Sequence, residues 1–507
     1  MPQVWRKTNS RRGQGLRLCS LGFGLGAIYV GMAGCQLNQA AQRDLSNALQ
    51  DYEQRRAEVA SGYAGPNRAA TTQMATPDSA VVRSPDTAHE NPPQSLRDCI
   101  LLALAQNPEI LAAEEIARAK AEHVPQVTAL PDPMLTTKTL PEPVRTAEGD
   151  NYFVLGVQQK FPAPAKLDRA GRAAVEETRM ALKELQQIRL RVIADVKRAY
   201  FRAYVIDRTI EIDTANRDLL RGLIDAVRAQ VAAGRRSQAD VLRTEVELST
   251  LESQLIELRQ QRETAIAMLK RLSNGTSSAP LATAPIDLRT MNTRLEELLS
   301  TAAKHNPDLE RMKNQIERDR QNVELARLAY WPDFTLGFEW MQISPRAAFV
   351  PPPNPQTGMP APVNRMSENG SDNWAITFGL NLPIWYQKIE AGIREARSKL
   401  LASQHQYAAT QNRVQFQVED AYARVRAQQE LAKLFQDTII PQAQQTYEVS
   451  LAAYTGGTGE FLIVIDNWKK WLTFTVQYHR ALGELERSVA DLEEAIGLSL
   501  DEAETGS

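Results

Sequence analysis

Residues 166–231 read KLDRAGRAAVEETRMALKELQQIRLRVIADVKRAYFRAYVIDRTIEIDTANRDLLRGLIDAVRAQV, and no proline occurs between Pro164 and Pro280. The stretch is dense in Ala, Leu, Arg, Glu and Gln, which are strong helix formers. A single helix over these residues runs roughly 100 Å at 1.5 Å per residue, longer than a globular domain can house. Its apolar residues repeat by sevens. Leu185, Val192, Ala199 and Ile206 form one row, and Val196, Ala203 and Ile210 form a second. A sustained heptad predicts coiled-coil-like packing against neighbouring helices, and alanine in the rows lets backbones approach. The helix expected over 166–233 turns back at Ala232-Ala233-Gly234-Arg235-Arg236-Ser237, and a second, over 237–272, starts with Asp240-Val241-Leu242. Glycine suits the helix end and the reversal. The unit is an antiparallel helical hairpin with a tip.

The same unit occurs twice. Asn107-Pro108-Glu109-Ile110 returns 199 residues later as Asn306-Pro307-Asp308-Leu309. Ala199-Tyr200 returns as Ala421-Tyr422, and Gly234 as Gly456, both 222 residues on. The difference between the two offsets lies in one loop, Ile343 to Asp372. Val414, Ala421 and Phe435, interrupted by Gln428, repeat the first heptad row; Val418, Val425, Ala432 and Ile439 repeat the second. The second tip is Tyr454-Thr455-Gly456-Gly457-Thr458-Gly459, followed by Phe461-Leu462-Ile463-Val464-Ile465-Asp466. Helices are expected over 385–454 and 460–497. A repeat this long is a duplicated half-protein rather than a solenoid. The halves span 95–280 and 281–498, with 499–507 as a tail.

Each half carries two strand candidates ahead of its long helix. Phe334, Leu336, Phe338 and Trp340 alternate with polar or small residues over 333–342, as do Trp374, Ile376, Phe378, Leu380 and Leu382 over 373–382. In the first half Phe153, Leu155, Val157 and Phe161 do so over 152–161, while 134–141 alternates poorly. Period-two alternation over about ten residues suits a strand with lipid on one side and water on the other, and equally a half-buried soluble sheet. Four strands cannot close a barrel, and an open edge is forbidden in hydrocarbon, so membrane strands here require several chains. The fold class is α+β, mainly α: long helical hairpins plus four strands, internally duplicated.

The N-terminus is an address. Basic residues from Arg6 to Arg17 precede an apolar run, Leu18 to Val30, which ends in Met32-Ala33-Gly34-Cys35. About 20 apolar residues are needed to span a bilayer, so residues 1–34 read as a secretory signal. Small residues before a cysteine resemble a bacterial lipobox, in which Cys35 is acylated and becomes the mature N-terminus. Residues 35–94, rich in Ala, Gln, Ser, Thr, Asn and Pro, read as a tether, with a short helix near 45–60. Cys19, Cys35 and Cys99 are the three cysteines. With Cys19 removed and Cys35 acylated, a mature chain has no internal disulfide, and Cys99 reads as a small core residue.

Signal, lipobox, duplicated halves, strand pairs and helical hairpins together resemble the TolC family of outer-membrane efflux channels, from about Ser95 to Leu498. The most specific pieces are Tyr454-x-x-Gly457 leading into Phe461 to Asp466, and Gly234-x-x-Ser237-x-x-Asp240. Pro131-Asp132-Pro133-Met134 and Gln159-Lys160-Phe161-Pro162 resemble the heavy-metal, lipoprotein branch. The resemblance implies a homotrimer whose strands form a twelve-stranded barrel in outer-membrane lipid, continuous with a periplasmic α-barrel. It also implies a periplasmic adaptor protein and an inner-membrane RND-type pump as partners. The tip and adaptor contact then comprise Gly234, Ser237, Asp240, Tyr454, Gly456, Gly457, Gly459 and Asp466. Asp466 matches the second of two acidic constriction positions in some relatives; Ile463 stands at the first, and Gly459 replaces a latch arginine.

Composition and motifs exclude other chemistry. With 59 Lys+Arg against 61 Asp+Glu, the chain has no basic excess for nucleic acid. Five scattered histidines, no phosphate loop and no Cys-rich motif give no enzyme site and no cofactor. Met134, Met341, Met359 and Met366 form a conceivable soft-metal path, but methionine more simply fills irregular apolar sites. Three readings stand: a passive conduit for heavy-metal cations, the same channel exporting drugs, peptides or proteins, and a lipid-anchored periplasmic scaffold without a pore.

Overall fold

The computed structural model describes residues 40–55, 57, 95–146, 148–232, 237–275, 281, 283–291, 293–346, 356, 358–359 and 370–500. The signal segment, Cys35, Gly234 and residues 501–507 lie outside the described residues, as does most of the tether. The chain divides into two compact units. One holds Ala121–Val175 and Arg318–Lys399 with the stretch up to Asn47; the other holds Ala48–Lys120, Glu176–Glu317 and the chain from Leu400 onward.

In chain order the elements are α1 (residues 40–55), α2 (Leu96–Gln106), α3 (Pro108–Thr128), β1 (Met134–Arg145), β2 (Asp150–Phe161), α4 (Pro164–Ala232) and α5 (Gln238–Leu272). The second half repeats them as α6 (Leu295–His305), α7 (Pro307–Arg327), β3 (Phe334–Ser344), β4 (Asn373–Leu380), α8 (Tyr386–Leu434), α9 (Ile440–Thr455) and α10 (Phe461–Ile496). The long proline-free stretch is one helix of 69 residues. Among the described residues no helix is long and apolar enough to cross a membrane.

The helix expected over 385–454 is interrupted by a π-helical turn, Phe435–Ile439, just ahead of Pro441. Proline has no N–H to donate and its ring crowds the carbonyl four residues back, so the widened turn relieves the misfit. Both flanking helices keep facing α10. Ala432 packs with Ala481 and Leu482 before the turn; after it Tyr447 stacks on Trp471 at 5.7 Å.

The repeated Asn-Pro pair closes each half in the same way. Asn107 ends α2 by donating its backbone N–H to the Ala103 carbonyl, and its side-chain Oδ1 caps α3 by accepting from the amides of Glu109 (2.9 Å) and Ile110 (3.3 Å). Its Nδ2 donates to the carbonyl of Leu272, the last residue of α5, at 3.0 Å. Asn306 repeats all three: N–H to Ala302, caps at Asp308 (2.9 Å) and Leu309 (3.2 Å), and Nδ2 to the Ala495 carbonyl in the last turn of α10 at 2.8 Å. Each buried asparagine thus satisfies orphan groups at three helix ends. Proline follows because a first helical residue needs no N–H.

The heptad rows are buried, but not only between paired helices. Leu185, Val192, Val196 and Ala199 of α4 pack under Cys99, Ile100 and Ala103 of α2, together with Leu269 and Leu272 of α5. Val414, Val418, Ala421 and Val425 of α8 pack under Leu298 and Ala302 of α6, with Leu485, Val489 and Leu492 of α10. The seven-residue repeat therefore records a helical wall covered on one side by short helices. Alanine serves close approach, and Gly483 of α10 goes further: a Cβ there would lie 2.2 Å from Val205 Cγ2 on α4.

Candidate functional site

The four strands form one antiparallel sheet in the order β1-β2-β3-β4. Register places like residues side by side. Leu135, Val157, Phe338 and Ile376 form one row across the sheet; Leu155, Trp340 and Trp374 form the next. Leu336 pairs with Phe378, and Phe161, Phe334 and Leu380 align at the end of the strands. Phe334 stacks on Phe161 at 5.2 Å and on Phe378 at 6.2 Å, and Phe153 meets Trp340 edge-on at 6.5 Å. The ten residues assigned from alternation (Phe153, Leu155, Phe334, Leu336, Phe338, Trp340, Trp374, Ile376, Phe378, Leu380) thus share one face. Much of it is bare: Trp374 and Phe378 are each 67% exposed and Ile376 61%.

The opposite face is mostly small or polar, apart from the paired Val154 and Met341. Thr136, Gly156, Glu339 and Ala375 form a row, and Lys138 reaches Glu339 at 3.7 Å. A Cβ on Gly156 would lie 2.8 Å from Thr136 Oγ1, so that face closes tightly. β1 runs to Arg145, beyond the expected 141, across a register shift between Thr139 and Val144. Pro141 and Pro143 cannot donate to a ladder, which an edge strand tolerates.

Sequence reading missed the clasp at the base of the sheet. Asp333, just ahead of β3, accepts from Lys166 Nζ at 2.7 Å and from the Ala163 amide at 3.2 Å, with Lys160 at 3.3 Å. Burial pushes its carboxyl upward, but Lys166, the Ala163 amide and Lys160 outweigh that and hold it below the usual range. Around this base Tyr330 stacks with Tyr386, and Trp331 and Trp385 are largely exposed. Eleven residues of β3 extend about 35 Å along the strand and, tilted about 40°, cover about 27 Å of a bilayer normal. Aromatics at both ends match the girdles of a barrel wall.

The second tip is a built aromatic seam. Tyr454, 2% exposed, lies 5.2 Å from Phe461; Trp468 donates Nε1 to Asn216 Oδ1 at 3.0 Å. Leu220 and Val227 of α4 and Val241 and Leu251 of α5 complete the cluster. The heptad spacing of Tyr447 and Tyr454 signals this seam, yet neither Tyr447, Trp468 nor Trp471 stood out in the sequence. The three tip glycines differ. Gly457 adopts φ +81°, which disfavours a side chain, whereas Gly456 has an ordinary φ of −73°. Gly459 is hemmed in: a Cβ would lie 2.8 Å from Tyr454 N.

Ser237 caps α5 by accepting from the Ala239 amide at 3.1 Å, and Asp240 sits in that helix's first turn, where negative charge is favoured. Asp466 is exposed on α10 near exposed Leu462 and Ile463 and holds no ion pair among the described residues. Cys99 is buried, and burial pushes its thiol up to about 11. Among the described residues no group of three His, Cys, Asp or Glu could hold a metal ion.

Comparison with known proteins accords with this geometry. The chain is 22% identical over 408 residues to the cobalt-zinc-cadmium resistance protein CzcC of Cupriavidus metallidurans, covering 80% of this chain and 90% of that one. Solved structures share the fold. The outer-membrane channel OprN superposes with a TM-score of 0.65 at 16% identity, over 84% of this chain and 98% of its own. CusC gives 0.66 at 14%, over 80% and 92%, and VceC of Vibrio cholerae 0.63 at 18%, over 80% and 96%. The family model described as outer membrane efflux protein matches residues 100–275 and 298–498, one match per half. That match spans well over half of the sequence, and the chain belongs to the outer membrane efflux protein family.

Proposed function

We propose that the chain is the outer-membrane channel of a tripartite efflux system, carrying heavy-metal cargo delivered by an inner-membrane RND-type pump through a periplasmic adaptor. The sheet carries this reading. It has a bare apolar face, a polar face, and two edge strands, β1 and β4, each unpaired on its outer side among the described residues. An open edge in hydrocarbon leaves N–H and C=O groups unsatisfied at several kcal/mol each. Three copies joined edge to edge remove every edge and give a twelve-stranded barrel. The protein conducts and does not catalyse; the pump supplies energy and much of the selectivity.

Metal cargo rests on the similarity to CzcC, whose name records cobalt, zinc and cadmium resistance. The tips, with Gly457, Gly459, Ser237 and the exposed side chains of Leu462, Ile463 and Asp466, form the gate and the adaptor contact. Acylated Cys35 tethers the chain to the membrane. Conductance in planar bilayers tests the channel, since a poreless scaffold carries no current. Deleting the gene should sensitise cells to zinc, cobalt or cadmium, and sensitivity to organic drugs alone would overturn the metal cargo. Cys35→Ser should abolish labelling by a radioactive fatty acid, and persistent label would exclude the lipobox.

A further inference from the structure

A cavity of about 600 Å³ opens between α4, α5, α8 and α10, within the usual span of small-molecule sites, about 300–1,000 Å³. Two helices face it with residues at helical spacing: Arg202, Val205 and Thr209 on α4, and Arg480, Glu484 and Arg487 on α10. Residues three or four apart share a helix face, so each helix gives the cavity one stripe. The internal duplication marks the same place. Ile206 of the first heptad row corresponds to Gln428, 222 residues on, and both line the cavity. The glutamine that interrupts the apolar row therefore sits at this opening, where it holds no hydrogen bond among the described residues. Phe435, at which the π-helical turn begins, lines it too, and such turns are frequent at functional sites.

Its lining is part apolar and part cationic. Val205, Leu258, Leu431 and Phe435 give aliphatic and aromatic surface, while three arginines share a single carboxylate. That carboxylate, Glu484, is taken by Arg487. Arg487 keeps a further donor, Nε, buried without an acceptor among the described residues. Arg202 and Arg480 hold no ion pair and no hydrogen bond among the described residues. Arg480 does feel Asp213, which is buried in the wall and does not line the cavity. Counting Asp213 as well as Glu484 against the three arginines still leaves one positive charge in excess. Arginine stays ionised at any physiological pH and binds planar anionic groups through paired donors.

We infer that this cavity is a binding site for a compact organic anion, whose carboxylate or sulfonate is held by Arg202 and Arg480 while its carbon skeleton rests on Val205, Leu258, Leu431 and Phe435. The anionic head supplies the acceptors that the arginines lack, and the skeleton takes apolar surface out of water. Gln428 offers an amide to any polar group the skeleton carries. Such a site needs no conducting pore, so it stands apart from the channel reading and is tested without a membrane.

The full-length protein, purified in detergent, is titrated with naphthoate by calorimetry at pH about 7.5, where a carboxylic acid is ionised, with detergent alone as the blank. The uncharged naphthamide serves as the matched control. Naphthoate should bind saturably, one per chain, and naphthamide at least roughly tenfold more weakly. Arg202→Gln/Arg480→Gln should weaken naphthoate binding at least roughly tenfold, whereas the matching double lysine variant should recover much of it, which separates charge from damage to the wall. Gln477→Trp, which puts a large side chain into the cavity, should abolish the saturable heat. Asp213→Asn, which releases Arg480 from its buried neighbour, should tighten binding. No saturable heat in the parent, equal affinity for acid and amide, or an affinity unmoved by the glutamine pair would overturn the assignment.

Discussion

Replacing Asn306 with alanine removes three interactions at one buried point, and the cost can be assembled from its contacts. The side chain is 5% exposed; it accepts from Asp308 and Leu309 and donates to the Ala495 carbonyl. Loss of a helix N-cap costs about 1 kcal/mol. Leaving the buried Ala495 carbonyl without its donor adds about 1–3 kcal/mol. The total, about 2–4 kcal/mol, acts locally where α6, α7 and α10 meet. A large assembly has no single unfolding free energy, so the measurement is amide hydrogen exchange read by mass spectrometry on peptides from 306–312 and 490–500. If exchange follows local opening, rates there should rise on the order of 100-fold, since about 1.4 kcal/mol is tenfold. Asn306→Asp keeps both acceptor contacts but replaces the amide donor with a carboxylate facing a carbonyl, so it should protect 306–312 better than 490–500. Asn107→Ala should loosen the corresponding joint at Leu272 and leave α10 untouched. Exchange in Asn306→Ala equal to the parent's, or loosening spread evenly through the molecule, would refute this account.

Other outcomes can be checked with simpler assays. Phe378→Lys places a charge on the bare apolar face at about 2–4 kcal/mol per copy at mid-bilayer; heat-resistant oligomers on a gel should vanish, and their persistence would contradict the lipid-facing assignment. Gly459→Ala should impair efflux more than Gly456→Ala, because its Cβ meets backbone at 2.8 Å while that on Gly456 meets the Ala452 carbonyl at 3.3 Å. Equal metal resistance in the two variants would count against the tip packing. Asp213 is held in the wall, where burial lifts its carboxyl from 3.8 to about 6 while Arg480 pulls it down. The folded chain then binds this proton more tightly than the unfolded chain, so stability falls as pH rises from 3.8 to about 6, and the penalty is complete above that. Asp213→Asn should therefore raise the melting temperature at pH about 7.5, relieving up to about 3 kcal/mol, and bring no gain below pH about 4. A gain independent of pH would show that the carboxylate is not the cause.

Much of the architecture was legible because it rests on period. Seven-residue recurrence from Leu185 to Ile206 and two-residue recurrence from Phe334 to Trp340 name helix and strand without knowledge of partners. What those faces touch was not legible. The rows in α4 and α8 pack under α2 and α6 as well as against neighbouring long helices, and short helices of eleven residues carry little periodic signal of their own. Asn107 and Asn306 marked the duplication, yet their binding of three helix ends depends on Leu272 and Ala495, far away in sequence. Asp333 drew no notice at the start of the strand expected over 333–342, because its lysine partners, Lys160 and Lys166, belong to the other half. Prolines in β1 weakened its alternation, which shortened the expected strand. Glycine at the tip was recognisable as a turn, but only φ and neighbouring backbone separate Gly457 and Gly459 from the undemanding Gly456.

The π-helical turn at Phe435–Ile439 bears on how this chain can change length. A wide turn absorbs about one extra residue without rotating the helix beyond it, so Ala432 above it and Tyr447 and Tyr454 below it all reach α10. Loss of that surplus residue keeps both contact sets in phase but restores the misfit at Pro441 that the wide turn relieves. Deletion a few turns away swings every later side chain by about 100° and strips the tip of its partners. The second hairpin thus has one locus where loss of a single residue preserves the phase of its contacts with α10, while a deletion elsewhere along it breaks that phase.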